Sequence, residues 1–295
     1  LSKNDEKLKT EVKTEMIELP EATTIARQIT EKLKGKRVES GNRGNSPHKF
    51  AFYNHTPEEY ETIFKGKTVG AAVEQGSEIW ISLEPNYFLV LGDGGERILF
   101  HKDESTLPKK YQLLLHFVDG SYLTVTVQGW GFAQLLHKSE IEGKWGCNRG
   151  RKAVSPVSDE FTYEYFKGLF NELEKDDPRS IKFFVISKPG VWGVGNGYLQ
   201  DILFRAKVHP RKRCVDLTEE EKKALYKAIT TTLKQAVELG GRDTEFDIYS
   251  HPGRYTKILD SKQVGKPCPE CGTPIEKQSY LGGAIYFCPK CQKLP

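Results

Sequence analysis

Long apolar runs are missing from this 295-residue chain. No stretch approaches the ~18 residues a membrane helix needs, so a membrane bundle is excluded and no membrane partner is expected. The first fifteen residues, LSKNDEKLKTEVKTE, contain no apolar stretch either, so no secretory signal is expected there. No fixed-period repeat and no low-complexity tract occurs, which excludes solenoids and collagen-like chains. Strong charge bias is also lacking. The 44 Lys and Arg face 40 Asp and Glu, a formal +4, which permits nucleic-acid binding without arguing for it. What is present is 37% hydrophobic and 11% aromatic residues, enough for two globular domains and a small appendage.

Cysteine is scarce but clustered. Cys268, Cys271, Cys288 and Cys291 fall in the last 28 residues, and only Cys147 and Cys214 lie elsewhere. A disulfide framework would spread them out, so the pattern indicates a reducing, cytoplasmic compartment and a bound metal. The tail reads C-P-E-C, sixteen residues, then C-P-K-C. Each C-x-x-C pinches a metal with two thiolates, and four sulfurs without histidine favour one structural zinc in a closed tetrahedral site. Two local redox dithiols are the alternative, and a plain structural clip is the alternative to a nucleic-acid-binding finger.

Periodicity divides the rest. Residues 1–15 are read as a disordered arm or a misplaced start, with four lysines and four acids and nothing that packs. A helix is predicted over Leu19 to Leu33, with Pro20 in its first turn, Glu18 and Glu21 at its positive end, and Ile25, Ile29 and Leu33 on one face. Short strands follow at Thr68–Val73, Glu78–Leu83, Tyr87–Leu91, Gln112–Phe117 and Tyr122–Val127, which suggests a sandwich or barrel. Helices are predicted at 161–173, 179–186, 196–205 and 219–239, the last opened by a Thr218/Glu221 capping box and stopped by Gly240-Gly241. The expected domains are 16–145, a linker at 146–157, 158–263 and a cysteine module at 264–295.

Two features of the helical half point towards an anion. G-V-G-N-G at 193–197 precedes a helix, where the backbone N–H groups of Gly195 and Gly197 and the amide of Asn196 are placed to meet a phosphate. The alternative is a glycine turn that merely packs helices. R-A-K-V-H-P-R-K-R at 205–213 carries five basic residues and no acid, so Arg205, Arg211, Lys212 and Arg213 read as a phosphate-contact strip or as a solvated cluster.

Together, M-I-E-L-P-E-A at 16–22, G-V-G-N-G-Y with D-I-L-F-R-A-K-V-H-P, the long helix ending E-L-G-G, and the G-K-P-C-P-E-C-G/Y-F-C-P-K-C tail resemble the formamidopyrimidine-DNA glycosylase and endonuclease VIII family of base-excision repair proteins. The resemblance implies a multidomain α+β fold: an N-terminal helix plus β-sandwich, a helix-two-turn-helix domain and a C-terminal four-cysteine zinc finger. It also implies a monomer acting on double-stranded DNA, with the damaged nucleotide flipped out and Asn196 on a phosphate beside it. Glu18 and Glu21 match the family's acidic positions, Glu18 that of the proton-shuttling carboxylate.

Other family positions are not matched. Ile17 stands where a terminal proline supplies the amine that attacks C1′. Ser77, in Glu74-Gln75-Gly76-Ser77, stands where a catalytic lysine is usual. Asp93, in G-D-G-G at 92–95, takes the place of a void-filling methionine, and Gly283 that of a phosphate-binding arginine of the zinc hairpin. The expected function is therefore binding of damaged or abasic DNA with weak or lost excision and lyase activity. The alternatives are an active glycosylase and abasic-site lyase, a hydrolytic enzyme with Glu18 activating water, and a zinc-containing adaptor with no DNA role.

Overall fold

The computed structural model describes residues 16–141, 147–148 and 151–294. The expected arm at 1–15, and residues 146, 149 and 150 of the expected linker, lie outside the described residues.

Helix α1, Leu19–Leu33, starts where Glu18 is extended and its N–H donates to the Glu21 carboxylate at 3.1 Å. Strands β1 (Val38–Asn42) and β2 (Ala51–Phe52) follow, then α2 (Pro57–Phe64), opened by a Thr56/Glu59 capping box. Next come β3 (Thr68–Gln75), β4 (Glu78–Glu84), β5 (Tyr87–Gly92), β6 (Glu96–His101), β7 (Leu113–Phe117), β8 (Tyr122–Val127) and β9 (Gly131–His137). They form two sheets, β1-β7-β8-β6 and β2-β9-β5-β4-β3, antiparallel throughout except for the β2–β9 pair. Ile79, Ile81, Leu83 and Leu89 of one sheet and Ile98, Leu113, Leu123 and Val125 of the other share one core with Ile25, Ile29 and Leu33 of α1. The helix-plus-sandwich architecture is as expected. Strands β1, β2, β6 and β9 and helix α2 add to the five strands read from the sequence.

A short helix α3 (Lys138–Ile141) and the small pair β10 (Cys147–Asn148) and β11 (Arg151–Lys152) lead to the helical half. There α4 (Tyr163–Gly168) gives way to a 3-10 turn at Leu169–Glu172, so the helix expected over 161–173 is broken. Helix α5 (Ile181–Ile186) starts two residues later than expected because Ser180 accepts the Phe183 N–H and caps it. Helices α6 (Asn196–Ala206) and α7 (Glu219–Glu238) carry Leu199, Ile202, Leu203, Leu225, Ile229 and Leu233 into a second core, which Leu19 of α1 also enters.

The tail folds as a hairpin of β12 (Glu276–Tyr280) and β13 (Gly283–Phe287). Phe204, Leu259, Ile275, Tyr286, Cys268 and Cys288 make its small core. Buried Asp201 of α6 fixes the approach of this unit: it accepts from Tyr255 Oη at 2.8 Å and from the N–H groups of Ile258 and Leu259, both at 2.9 Å. No described helix is long and apolar enough to cross a membrane.

Candidate functional site

The segment before α1 is stitched between the two halves. The Ile17 N–H donates to Gly94 O in the sandwich and the Leu19 N–H to Gly193 O in the helical half, each at 2.9 Å. Between them, the Glu18 carboxylate accepts from Gly195 N at 2.8 Å and Gly197 N at 2.6 Å. The glycine turn therefore aims these two amides inward at a buried carboxylate. This corrects the expectation that they stand open to a phosphate: an internal anion already occupies the positive end of α6. Of the G-V-G-N-G donors, the exposed Asn196 side chain is the one that faces outward.

Arg242, invisible in the sequence patterns, ties the two acids together. It is 1% exposed. Its Nε lies 3.1 Å from Glu21 Oε1, its Nη1 lies 3.5 Å from Glu18 Oε1, and its Nη2 donates to Met16 O. Glu21 Oε1 also accepts from Tyr198 Oη at 2.6 Å and from the Arg242 N–H at 2.9 Å. Burial pushes the Glu18 carboxyl above its ordinary range, opposed by Arg242. Burial also works against the Arg242 charge, but Glu21 and Glu18 hold its pKa well above the usual value. Gly197 is dictated by this cluster, since a Cβ there would lie 1.6 Å from Arg242 Nη1. Glu18 and Glu21 are thus joined at one site, but much of their hydrogen-bonding capacity is already used.

Beside them opens a cavity of about 320 Å³, lined by Met16, Ile17, Glu18, Ser77, Asp93 and Asn196 among others, including Trp80 and Trp192. Ser77 Oγ donates to Asp93 Oδ1 at 2.6 Å. Two positions that depart separately from the family pattern thus meet across the β3–β4 and β5–β6 turns. Trp192 packs against Gly76, where a Cβ would fall 2.5 Å from the indole Nε1. Glu74, expected to oppose a phosphate, lies on β3 rather than in this lining.

Behind the G-D-G-G turn, buried Glu96 accepts from Phe132 N at 2.8 Å and Gly94 N at 3.1 Å. Burial outweighs these bonds and raises its pKa to about 8 from an ordinary 4.5. Between those values the folded state holds the proton that the unfolded state releases, so stability falls as pH rises through the window. We expect the urea midpoint of the wild type to decline from pH 5 to pH 8 more steeply than that of Glu96→Gln. Equal slopes would show that this carboxyl does not carry the effect.

The basic stretch 205–213 does not form one strip. Arg205 bonds Gln235 Oε1 at 3.0 Å, Lys212 pairs with Glu221 at 2.6 Å, and Arg213 pairs with Asp216 at 2.8 Å. After Lys207 in the left-handed region (φ 58°), the chain folds back on α5, where Lys182 N–H donates to Pro210 O and Ile181 N–H to Lys212 O. That path turns these side chains towards their own acids. Arg211 stays exposed at the hairpin, its guanidinium 5.4 Å from the Tyr280 ring centre.

The four tail sulfurs lie within 4.8 Å of one another, with Cys271–Cys288 at 3.4 Å and Cys268–Cys291 at 3.9 Å. Tetrahedral Zn–S bonds of ~2.3 Å place sulfurs just under ~4 Å apart, so the set can hold a metal ion.

Residues 16–128 match the family model of the formamidopyrimidine-DNA glycosylase N-terminal domain, and residues 153–247 match that of the H2TH domain. The formamidopyrimidine-DNA glycosylase of Cytobacillus firmus is 31% identical over 285 residues, covering 94% of this chain and 100% of the relative. That of Bacillus licheniformis is 30% identical over 286 residues, with the same coverage. A Lactococcus lactis Fpg bound to DNA with an abasic site superposes with a TM-score of 0.79 at 22% identity, over 94% of this chain and 100% of that one. Another, bound to N7-benzyl-Fapy-dG DNA, reaches 0.81 at 22% with the same coverage. At that identity the likeness is one of fold.

Proposed function

From the premise that this chain belongs to the formamidopyrimidine-DNA glycosylase family, we propose that it binds duplex DNA at a damaged or abasic nucleotide and that its amine-dependent excision and strand cleavage are weak or lost. The observation that carries this reading is the chemistry of the cavity. Its described lining contains no lysine, arginine or histidine. The Ile17 nitrogen, following Met16, is a peptide amide donating to Gly94 O, with no lone pair to offer C1′. Ser77, bonded to Asp93, supplies no positive charge in place of the lysine. Glu18 still lines the cavity, but Gly195, Gly197 and Arg242 hold its two oxygens. This supports a positioning and electrostatic role rather than proton shuttling.

On the zinc hairpin, Cys268, Cys271, Cys288 and Cys291 would hold one zinc ion. All four positions are thiolate, which leaves no open coordination site. The metal would supply structure rather than catalysis.

Borohydride trapping on duplex with a natural abasic site tests the reading. Chains beginning at Leu1 and Met16 should give no covalent adduct, yet bind an abasic-analogue duplex more tightly than undamaged duplex. A chain beginning at Ile17 frees an amine beside Gly94 and should be trapped slowly, since the lysine is still absent. An efficient adduct from the Leu1 or Met16 chain, mapped by mass spectrometry, would refute the proposal.

A further inference from the structure

We infer that Lys182 of α5 supplies the phosphate contact that the zinc hairpin lacks at Gly283, acting with Asn196. The inference rests on the DNA-binding reading above and names a residue of that same surface. A Cβ placed on Gly283 would lie 3.5 Å from Lys182 Nζ and 3.9 Å from Asn196 Nδ2. The ammonium and the exposed amide therefore converge on the space left by the missing hairpin side chain. A phosphate oxygen seated at that point needs only a few tenths of an ångström to bond both.

The electrostatics require an anion there. Lys182 is fully buried, at 0% exposure. Its ammonium donates to Tyr280 O at 2.7 Å and makes no ion pair with any carboxylate among the described residues. Burial alone pushes its pKa down, with no acid opposing the shift. A buried cation without a counter-charge is costly, and proteins pair such groups or bind ions with them. Arg211, over the Tyr280 ring from the other side of the strand end, adds positive field at the same hairpin tip. The basic residues that sequence favoured, Lys212 and Arg213, are neutralised by Glu221 and Asp216, whereas Lys182 is not. The positive charge has in effect moved from the hairpin to the helix beneath it.

The test compares wild type, Lys182→Met, Gly283→Arg and the double variant on a duplex carrying a tetrahydrofuran abasic analogue and on undamaged duplex. Affinity is measured across a salt series. Lys182→Met should lose about tenfold in affinity at moderate salt, and the slope of log K against log salt should become shallower by about 0.9, the value for one phosphate contact. Gly283→Arg in the Lys182→Met background should restore both quantities, while in the wild type it adds little. Lys182→Met with wild-type affinity and slope would overturn the inference. So would a loss of affinity with an unchanged slope that arginine does not rescue, since that outcome assigns Lys182 to anchoring Tyr280 alone. If wild type binds neither duplex, the DNA-binding reading itself fails and this one falls with it. If it binds both equally, lesion recognition fails, and the Lys182 comparison is still read on undamaged duplex.

Discussion

Arg242→Met should lower unfolding stability by about 3–5 kcal/mol, the usual effect of stripping one partner from a buried charge cluster. The reason is local. Glu18 and Glu21 are each 3% exposed, and Arg242 is the cation between them. Without it, two carboxylates must remain charged in a low-dielectric space or take up protons. Urea unfolding followed by tryptophan fluorescence gives the magnitude. The same loss should shrink when Glu21→Gln is added, because the neutral amide no longer needs the guanidinium. Such non-additivity is the signature of a coupled cluster. A loss under about 1 kcal/mol, or simple additivity, would show that the cluster is not electrostatically closed.

The second large effect concerns the metal. Chelation, or Cys268→Ser, should release one zinc ion per chain and unfold residues 264–294 as a unit. The hairpin's core is only a handful of side chains around Ile275 and Tyr286, too small to stand without a metal clip. Structural zinc contributes about 10–16 kcal/mol of binding free energy in small fingers, so apo and folded are close to exclusive states here. Hydrogen exchange should lose protection across β12 and β13 while α1 and the sandwich keep theirs. Affinity for abasic-analogue duplex should fall by more than Lys182→Met alone, because the hairpin that contributes Tyr280 and Gly283 is lost with it. Restored protection on adding zinc completes the test. Protection that survives chelation would remove the metal from the folding of this unit.

How much of this could be read beforehand depended on the range of the signal. Helix α1 was legible because Ile25, Ile29 and Leu33 repeat at helical spacing within one short window. The four-cysteine set was legible because its spacing encodes the chelate directly. Helix α2 was not foreseen: its eight residues bury only Tyr60 and Phe64, too few turns for a period, although Thr56 and Glu59 form a capping box. Strand β6 hides because its buried positions include Glu96 and His101, which reverse the usual polar-out alternation. The acids Glu18 and Glu21 stood out through the motif around them. Their partner Arg242 did not, since a lone arginine after a glycine pair reads as solvated. The Ser77–Asp93 bond joins two turns 16 residues apart, and neither residue alone suggests the other.

The Arg242 cluster also bears on how the molecule is assembled in time. Glu21 and Arg242 are separated by 221 residues, so their bond closes a loop spanning most of the chain. Such closure is entropically slow to nucleate and cheap to keep once both ends are held. The sandwich and the helical half each have a core of their own, and α1 enters both through Ile25 and Leu19. The cluster then acts as a late latch, set after each half has taken shape. Its energy belongs to the unfolding barrier rather than the folding nucleus. A kinetically trapped lifetime, not a fast route to the native state, is what these three buried charges provide.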